Sequence, residues 1–269
     1  MTRLISVIIP CYNHGVYIND AITSVIDNDV NDICEIIIIN DGSTDSETKQ
    51  ILNELILDKV IVHNQNNLGL ALARNKGIEL STCQYLLMLD SDNKIELAFL
   101  EEFFKLINNK VDFDLLHGDS IYFGECSGIF KSAPLDLLKI AQINYIDACA
   151  IIKKETIIEL GLYDNKMPYM GWEDWDLWIR MALKGKKTIY IDKIFFQYRF
   201  HHNSMIRTIG HKENDIRLYF VSKYNNIMFH PGKINEFVAN SILAHIERIG
   251  IKECLKIIFK KIKKKYSNF

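Results

Sequence analysis

No two of the six cysteines (Cys11, Cys34, Cys83, Cys126, Cys149, Cys254) stand at Cys-x-x-Cys spacing, and several lie inside apolar runs, as small buried hydrophobes do. They read as free thiols in a reducing cytoplasm. A run of about 18 apolar residues is missing too, so no membrane-crossing helix is expected. Met1-Thr2-Arg3-Leu4 leads straight into a strand-like run that reaches Pro10, too soon for a secretory leader. Internal repeats and low-complexity linkers are absent, and nothing marks a sharp domain boundary. Hydrophobic residues make up 48% and charged residues 25%, which excludes disordered and fibrous classes. A chain of 269 residues buries about three quarters of its unfolded surface, enough for one large domain with or without an appendage.

The net charge of -2 is unevenly spread. Residues 252–265 hold seven lysines and one acid, Glu253, so this stretch carries +6 and the remainder -8. Ile251, Leu255, Ile258, Phe259 and Ile262 recur at three- and four-residue spacing, giving a helix with an apolar face and a basic flank. Two readings stay open: a helix lying on an anionic membrane through residues 251–266, or one packed on its own domain with solvated lysines. Crowding of like charge favours the membrane. No nucleic-acid partner is expected.

From the N-terminus the pattern alternates. Leu4–Ile9 is strand-like, Tyr17–Ile26 has helical spacing, and Ile33–Ile39 is a second strand with four consecutive isoleucines. A helix from Thr44, a strand at Val60–Val62, a helix over Leu68–Leu80 and a strand ending at Asp90 follow. Continuous apolar strands alternating with helices predict an α/β fold, with a mostly parallel sheet covered on both faces. Beyond Glu96 the alternation weakens to a helix near Ala98–Ile107 and strands near Leu115–Phe123 and Ile146–Ile152. From about His211 the pattern is helical. We therefore expect a domain over residues 1–210 and a helical C-terminal extension over 211–269.

Polar groups collect where the parallel strands end. The fourth strand runs into Asp90-Ser91-Asp92, the first into Pro10-Cys11-Tyr12-Asn13, and the second into Asn40-Asp41-Gly42-Ser43-Thr44-Asp45. Such ends line one crevice, so Asp41 is expected beside Asp90 and Asp92. Two acids at a sheet edge can hold a divalent cation; equally, Asp, Ser and Asn form turns, and Asp45 can start a helix.

Five motifs together resemble the family 2 glycosyltransferases of GT-A fold over roughly residues 4–205. They are Ser6–Asn13, Ile39–Asp45, Asn67–Gly77, Leu89–Asp92 and Gly171–Trp178, with Tyr198-Arg199-Phe200-His201 after them. The resemblance implies a Rossmann-like sheet and an inverting transfer from a nucleotide sugar, usually a UDP-sugar. It implies that Asp41 contacts the uracil and ribose region, walled by Pro10 and Tyr12, and that Arg74 lies near the nucleotide. By the same resemblance Asp90 and Ser91 lie by ribose and sugar, while Asp92 and His201 hold Mn or Mg; His202 beside His201 leaves that ligand ambiguous. Many relatives have an Asp where this chain has Asn93, which adds no charge.

On a helix beginning near Glu173, Asp174 and Asp176 point about 200° apart and cannot share a site. Asp176, four residues before Arg180, suits a surface or structural ion pair. The resemblance makes Asp174 the general base, and a place in the first helical turn would favour its ionised form. Glu173 would orient an acceptor hydroxyl. Trp175 and Trp178 fall on the core stripe, whereas Tyr169 and Trp172 precede the helix and can stack on an acceptor sugar. The basic tail suggests a lipid-linked O-antigen or capsule intermediate as acceptor, met by a cytoplasmic enzyme peripheral to the inner membrane face. Two alternatives remain: a non-catalytic nucleotide-sugar-binding or scaffold protein on this fold, and a haloacid-dehalogenase-type phosphatase, disfavoured because Lys94 stands where that motif needs Thr or Val.

Overall fold

The computed structural model describes residues 3–201 and 213–224. The chain divides into two compact units, Met1–Tyr219 and Phe220–Phe269; apart from the end of one helix, all that follows concerns the first. The basic tail lies outside the described residues.

The first half alternates as expected: β1 (Ile5–Cys11), α1 (Gly15–Asn28), β2 (Cys34–Asp41), α2 (Ser46–Glu54), β3 (Val60–Gln65), α3 (Leu70–Leu80) and β4 (Tyr85–Met88). β1, β2 and β4 are buried along their whole length. Alternation along β2 shows why. Ile36 and Ile38 join the cluster that includes Ile18, Ala21 and Val25 of α1, while Ile37 and Ile39 pack with Ala73 of α3 on the opposite face. Both faces of the strand are covered, so both sets must be apolar. Gly77 lets α3 settle onto the sheet, since a Cβ there would lie 2.3 Å from Ile8 Cγ2.

The second half comprises β5 (Lys94–Ile95), α4 (Leu97–Asn108), β6 (Leu115–Gly124), β7 (Gly128–Phe130), α5 (Leu137–Ile140), β8 (Ile151–Lys153), α6 (Lys154–Glu159), α7 (Glu173–Leu183) and β9 (Thr188–Phe200). A further helix spans Glu213–Lys223. The nine strands form one sheet in the order β3-β2-β1-β4-β8-β6-β9-β5, with β7 beside β6. β3, β2, β1 and β4 are mutually parallel; β8 then joins β4 and β6 antiparallel, and β9 runs parallel to β6 and antiparallel to β5. The fold class is the expected α/β sheet flanked by helices. The long β9 is the element the sequence pattern did not announce: it carries few buried residues and mixes polar with aromatic side chains.

Candidate active site

Because β1, β2 and β4 are parallel, their C-terminal ends open on one side. Pro10, Tyr12, Asp41, Arg74, Asp90 and Ser91, the six residues expected at the nucleotide, all line one cavity of about 540 Å³ there. Asp92, His14, Glu173 and Asp174 line it too. Asp41 accepts hydrogen bonds from Gln65 Nε2, Leu68 N and Gly69 N, each at 2.8 Å, so it ties the end of β2 to the turn before α3. That turn passes so close that a Cβ on Gly42, already at φ +72°, would lie 2.5 Å from Asn67 N. Asp45 is the N-cap of α2, accepting from Thr48 N at 2.7 Å.

Arg74 is buried with its fork taken up by protein carboxylates. Nη1 donates to Glu173 Oε1 at 2.5 Å and Nη2 to Asp90 Oδ1 at 2.7 Å. Glu173 also accepts from Gly171 N at 2.6 Å. Both of its oxygens are thus held, and it faces the first cavity. The arginine welds the end of β4 to the start of α7 and sets the distance between their acids.

His201 reaches Asp92 across 109 residues of sequence, Nε2 to Oδ2 at 2.9 Å. β9 makes this possible. Asn93, the departure from the family pattern, accepts from Arg199 N at 2.9 Å, and Arg199 Nε donates to Asp92 O at 2.9 Å. Asn93 therefore stitches the Asp92 loop to the end of β9 instead of facing the cavity as a charge. A third donor joins them: His14, whose Nδ1 lies 3.1 Å from Ser91 Oγ. His14, Asp92 and His201 offer ligand atoms all within 4.8 Å of one another. Burial, then the neighbouring Asp90, pushes the Asp92 carboxyl up, opposed by the two imidazoles. Sequence reasoning gave His14 no role, although it stands two residues beyond Tyr12 at a strand end already marked as cavity wall.

Asp174 stands where two cavities meet. The second, about 500 Å³, has aromatic walls from Tyr122, Phe130, Trp172, Trp175, Tyr198 and Phe200. Asp147, Gly171, Asp174 and Tyr198 line both. Asp174 accepts from Asn144 Nδ2 at 3.0 Å and from Trp175 N at 2.7 Å. Burial, then Glu173 beside it, pushes its carboxyl up to about 8 despite the opposing charge of Arg74. Burial thus opposes the ionised form that a place in the first helical turn would favour. Trp172 lines the second cavity, whereas Tyr169 lines neither.

Of the two readings open for Asp176, a surface or a structural ion pair, the structure has the second: Asp176 is 0% exposed and paired with Arg180 at 2.7 and 2.8 Å. This is a buried structural pair, not an exposed one. Asp176→Asn is therefore expected to cost about 3 kcal/mol. Thermal denaturation should show a fall in Tm of roughly 6–12 °C; an unchanged Tm would mean that the pair contributes nothing.

Comparison with known proteins places the chain. Residues 6–134 match Glycosyl transferase family 2. The UDP-Glc:alpha-D-GlcNAc-diphosphoundecaprenol beta-1,3-glucosyltransferase WfaP of Escherichia coli is 31% identical over 219 residues, covering 76% of this chain and 80% of that protein. The chain belongs to glycosyl transferase family 2. Glycosyltransferase GlyG of Streptococcus pneumoniae is 25% identical over 230 residues, covering 77% of this chain and 74% of that one. Among solved structures, S. aureus TarS 1-349 in complex with UDP-GlcNAc superposes with a TM-score of 0.67 at 18% identity, over 91% of this chain and 73% of that one. The likeness establishes the GT-A fold for this family 2 chain. Among the described residues no helix is long and apolar enough to cross a membrane.

Proposed function

We propose that this family 2 chain is an inverting, metal-dependent hexosyl- or N-acetylhexosaminyltransferase that moves a sugar from a UDP-sugar to a hydroxyl of a lipid-linked glycan. The observation that carries the reading is Asp174, a carboxyl at the junction of the cavity lined by Asp41, Arg74, Asp90 and Asp92 and an aromatic-walled one. WfaP's name specifies a UDP-sugar donor and a diphosphoundecaprenol acceptor, and TarS is described with UDP-GlcNAc; both support the substrate classes.

In this reading Pro10, Tyr12 and Asp41 wall the uridine, and Asp90 and Ser91 adjoin the ribose and diphosphate. Arg74 positions Asp90 and Glu173 and contributes positive charge beneath them. Glu173 anchors the Gly171 turn that separates the two cavities. His14, Asp92 and His201 make a donor set of two imidazoles and one carboxylate, which fits a divalent cation and suits Mn better than Mg. Such an ion, when bound, supplies Lewis-acid stabilisation of the departing diphosphate. An acceptor sugar stacks on Trp172 and its aromatic neighbours in the second cavity, with one hydroxyl presented to Asp174. As that oxygen attacks the anomeric carbon, Asp174 takes its proton and the sugar–phosphate bond breaks, so configuration inverts and UDP leaves. The membrane-facing role of residues 251–266, with a cytoplasmic and peripheral location, rests on the lysine pattern of that tail.

The test is UDP release from UDP-glucose and UDP-GlcNAc with an undecaprenyl-diphosphate-linked sugar as acceptor. Acceptor-dependent release of UDP is expected. Release of inorganic phosphate from a monoester instead would favour a phosphatase, and nucleotide-sugar binding without turnover a scaffold.

A further inference from the structure

One carboxyl in the cleft has no part in the chemistry just described. Asp147 belongs to the irregular segment before β8 and lines both cavities. Its Oδ1 accepts from Cys149 N at 2.9 Å. Among the described residues, none donates a hydrogen bond to its Oδ2 and no cation pairs with the group. Its charged neighbours are Asp90, Asp92 and Asp174 on one side of the balance and Arg74, already bound by two acids, on the other. Burial and Asp90 push its carboxyl up to about 7, which favours its protonated form. Asp147 is partly exposed where it lines the cleft, and a carboxyl shifted by burial and by neighbouring acids in a cleft is characteristic of a binding site.

Position identifies the ligand. If the diphosphate lies by Asp92 and the attacking hydroxyl by Asp174, the ring being transferred must occupy the space between them. Asp147 and Tyr198 wall that junction. A carboxyl with one unengaged oxygen matches a sugar hydroxyl, which can donate to the carboxylate or accept from the acid. We propose that Asp147 binds a hydroxyl of the transferred hexose and so determines which donor sugar this chain accepts. This rests on the transferase reading above. The nucleotide is held by other residues, so Asp147 discriminates among sugars and not among nucleotides. A site built to pair with a hydroxyl rejects a sugar that lacks it or presents it in the other configuration.

The experiment compares wild type, Asp147→Asn and Asp147→Ala by calorimetric titration with UDP, UDP-glucose, UDP-galactose and UDP-GlcNAc in the presence of Mn. Asn keeps the size of the side chain and guards against misfolding of the Ala variant. In both variants UDP affinity is expected to stay within about twofold of wild type. The preferred UDP-sugar should weaken by roughly 10- to 100-fold, and the ranking of the three donors should flatten. Equal weakening of UDP and UDP-sugars would overturn the proposal by showing that Asp147 only shapes the cavity. Unchanged donor ranking with a raised acceptor KM would overturn it in favour of an acceptor contact. Wild-type binding of UDP and UDP-sugars checks the transferase reading separately: if the wild type binds none of them, that reading falls and takes the proposal with it.

Discussion

Asp174→Asn is expected to bind the donor as the wild type does and to transfer it ~10²- to 10⁴-fold more slowly. The substitution keeps the shape of the side chain and its contact with the Trp175 N–H, removes its ability to take a proton, and replaces the oxygen that accepts from Asn144 Nδ2 with an NH2. The wild-type pH profile should carry the same signature. Asp174 is held up at about 8 by burial and by Glu173, and as a base it acts only when ionised. kcat/KM should therefore climb as pH rises toward and past 8, then level off, and Asp174→Asn should lack this rise.

Stability should move the opposite way. An unfolded aspartate titrates near ~3.9, so between that pH and about 8 the folded state holds a proton that the unfolded state has released. The stabilising contribution is fully present below the lower value and is lost as pH rises through the upper one. Asp174→Asn, which does not titrate, should thus raise Tm relative to wild type, with a gain that grows from pH 5 to pH 9. A variant that loses both activity and Tm at every pH would point to a structural role instead.

The second large effect concerns the three donors around Asp92. Asp92→Ala should abolish Mn binding and reduce transfer by at least ~10²-fold, because it removes the carboxylate that both imidazoles face. Excess EDTA should do the same to the wild type. His14→Ala and His201→Ala are each expected to weaken Mn affinity, measured by titration with the metal alone, while the fold persists. Full turnover in EDTA would remove the metal from the account, and normal Mn affinity in His14→Ala would leave only Asp92 and His201 as protein ligands.

Much of this site could be read from the chain because parallel strands make a simple rule: polar residues just past buried apolar runs share an edge. Asp41, Asp90 and Asp92 obey it, and so does His14, three residues beyond the end of β1. The helical angle between Asp174 and Asp176 was legible for the same reason, since it depends only on 3.6 residues per turn. Environment was not. α7 is packed on nearly all sides, with Trp175, Leu177, Trp178, Ile179 and Met181 buried, so Asp176 lies in the core and Asp174 loses its hydration. Spacing cannot report how deep an element lies.

Contacts brought about by β9 were hidden as well. Its mixed sequence has no clean period, yet its pairing with β5 and β6 carries His201 to Asp92 and sets Tyr198 and Phe200 in the second cavity. Arg74 shows a related gap: a fork suited to phosphate is equally suited to carboxylates, and only the folded chain shows that Asp90 and Glu173 take it. Asp147 falls within the strand expected near Ile146–Ile152, but pairing begins only at Ile151 and Asp147 lies in the irregular backbone before it.

Direct displacement at the anomeric carbon, with Asp174 on the side from which the acceptor enters, fixes the stereochemistry of the product. Proton NMR of donor turnover reads this from the anomeric coupling of the first sugar product, whether transferred to an acceptor or to water. From an α-linked UDP-sugar the first product is expected in the β configuration, formed by the wild type and ~10²- to 10⁴-fold more slowly by Asp174→Asn. A first product that retains the α configuration would contradict single displacement and the role given to Asp174 with it.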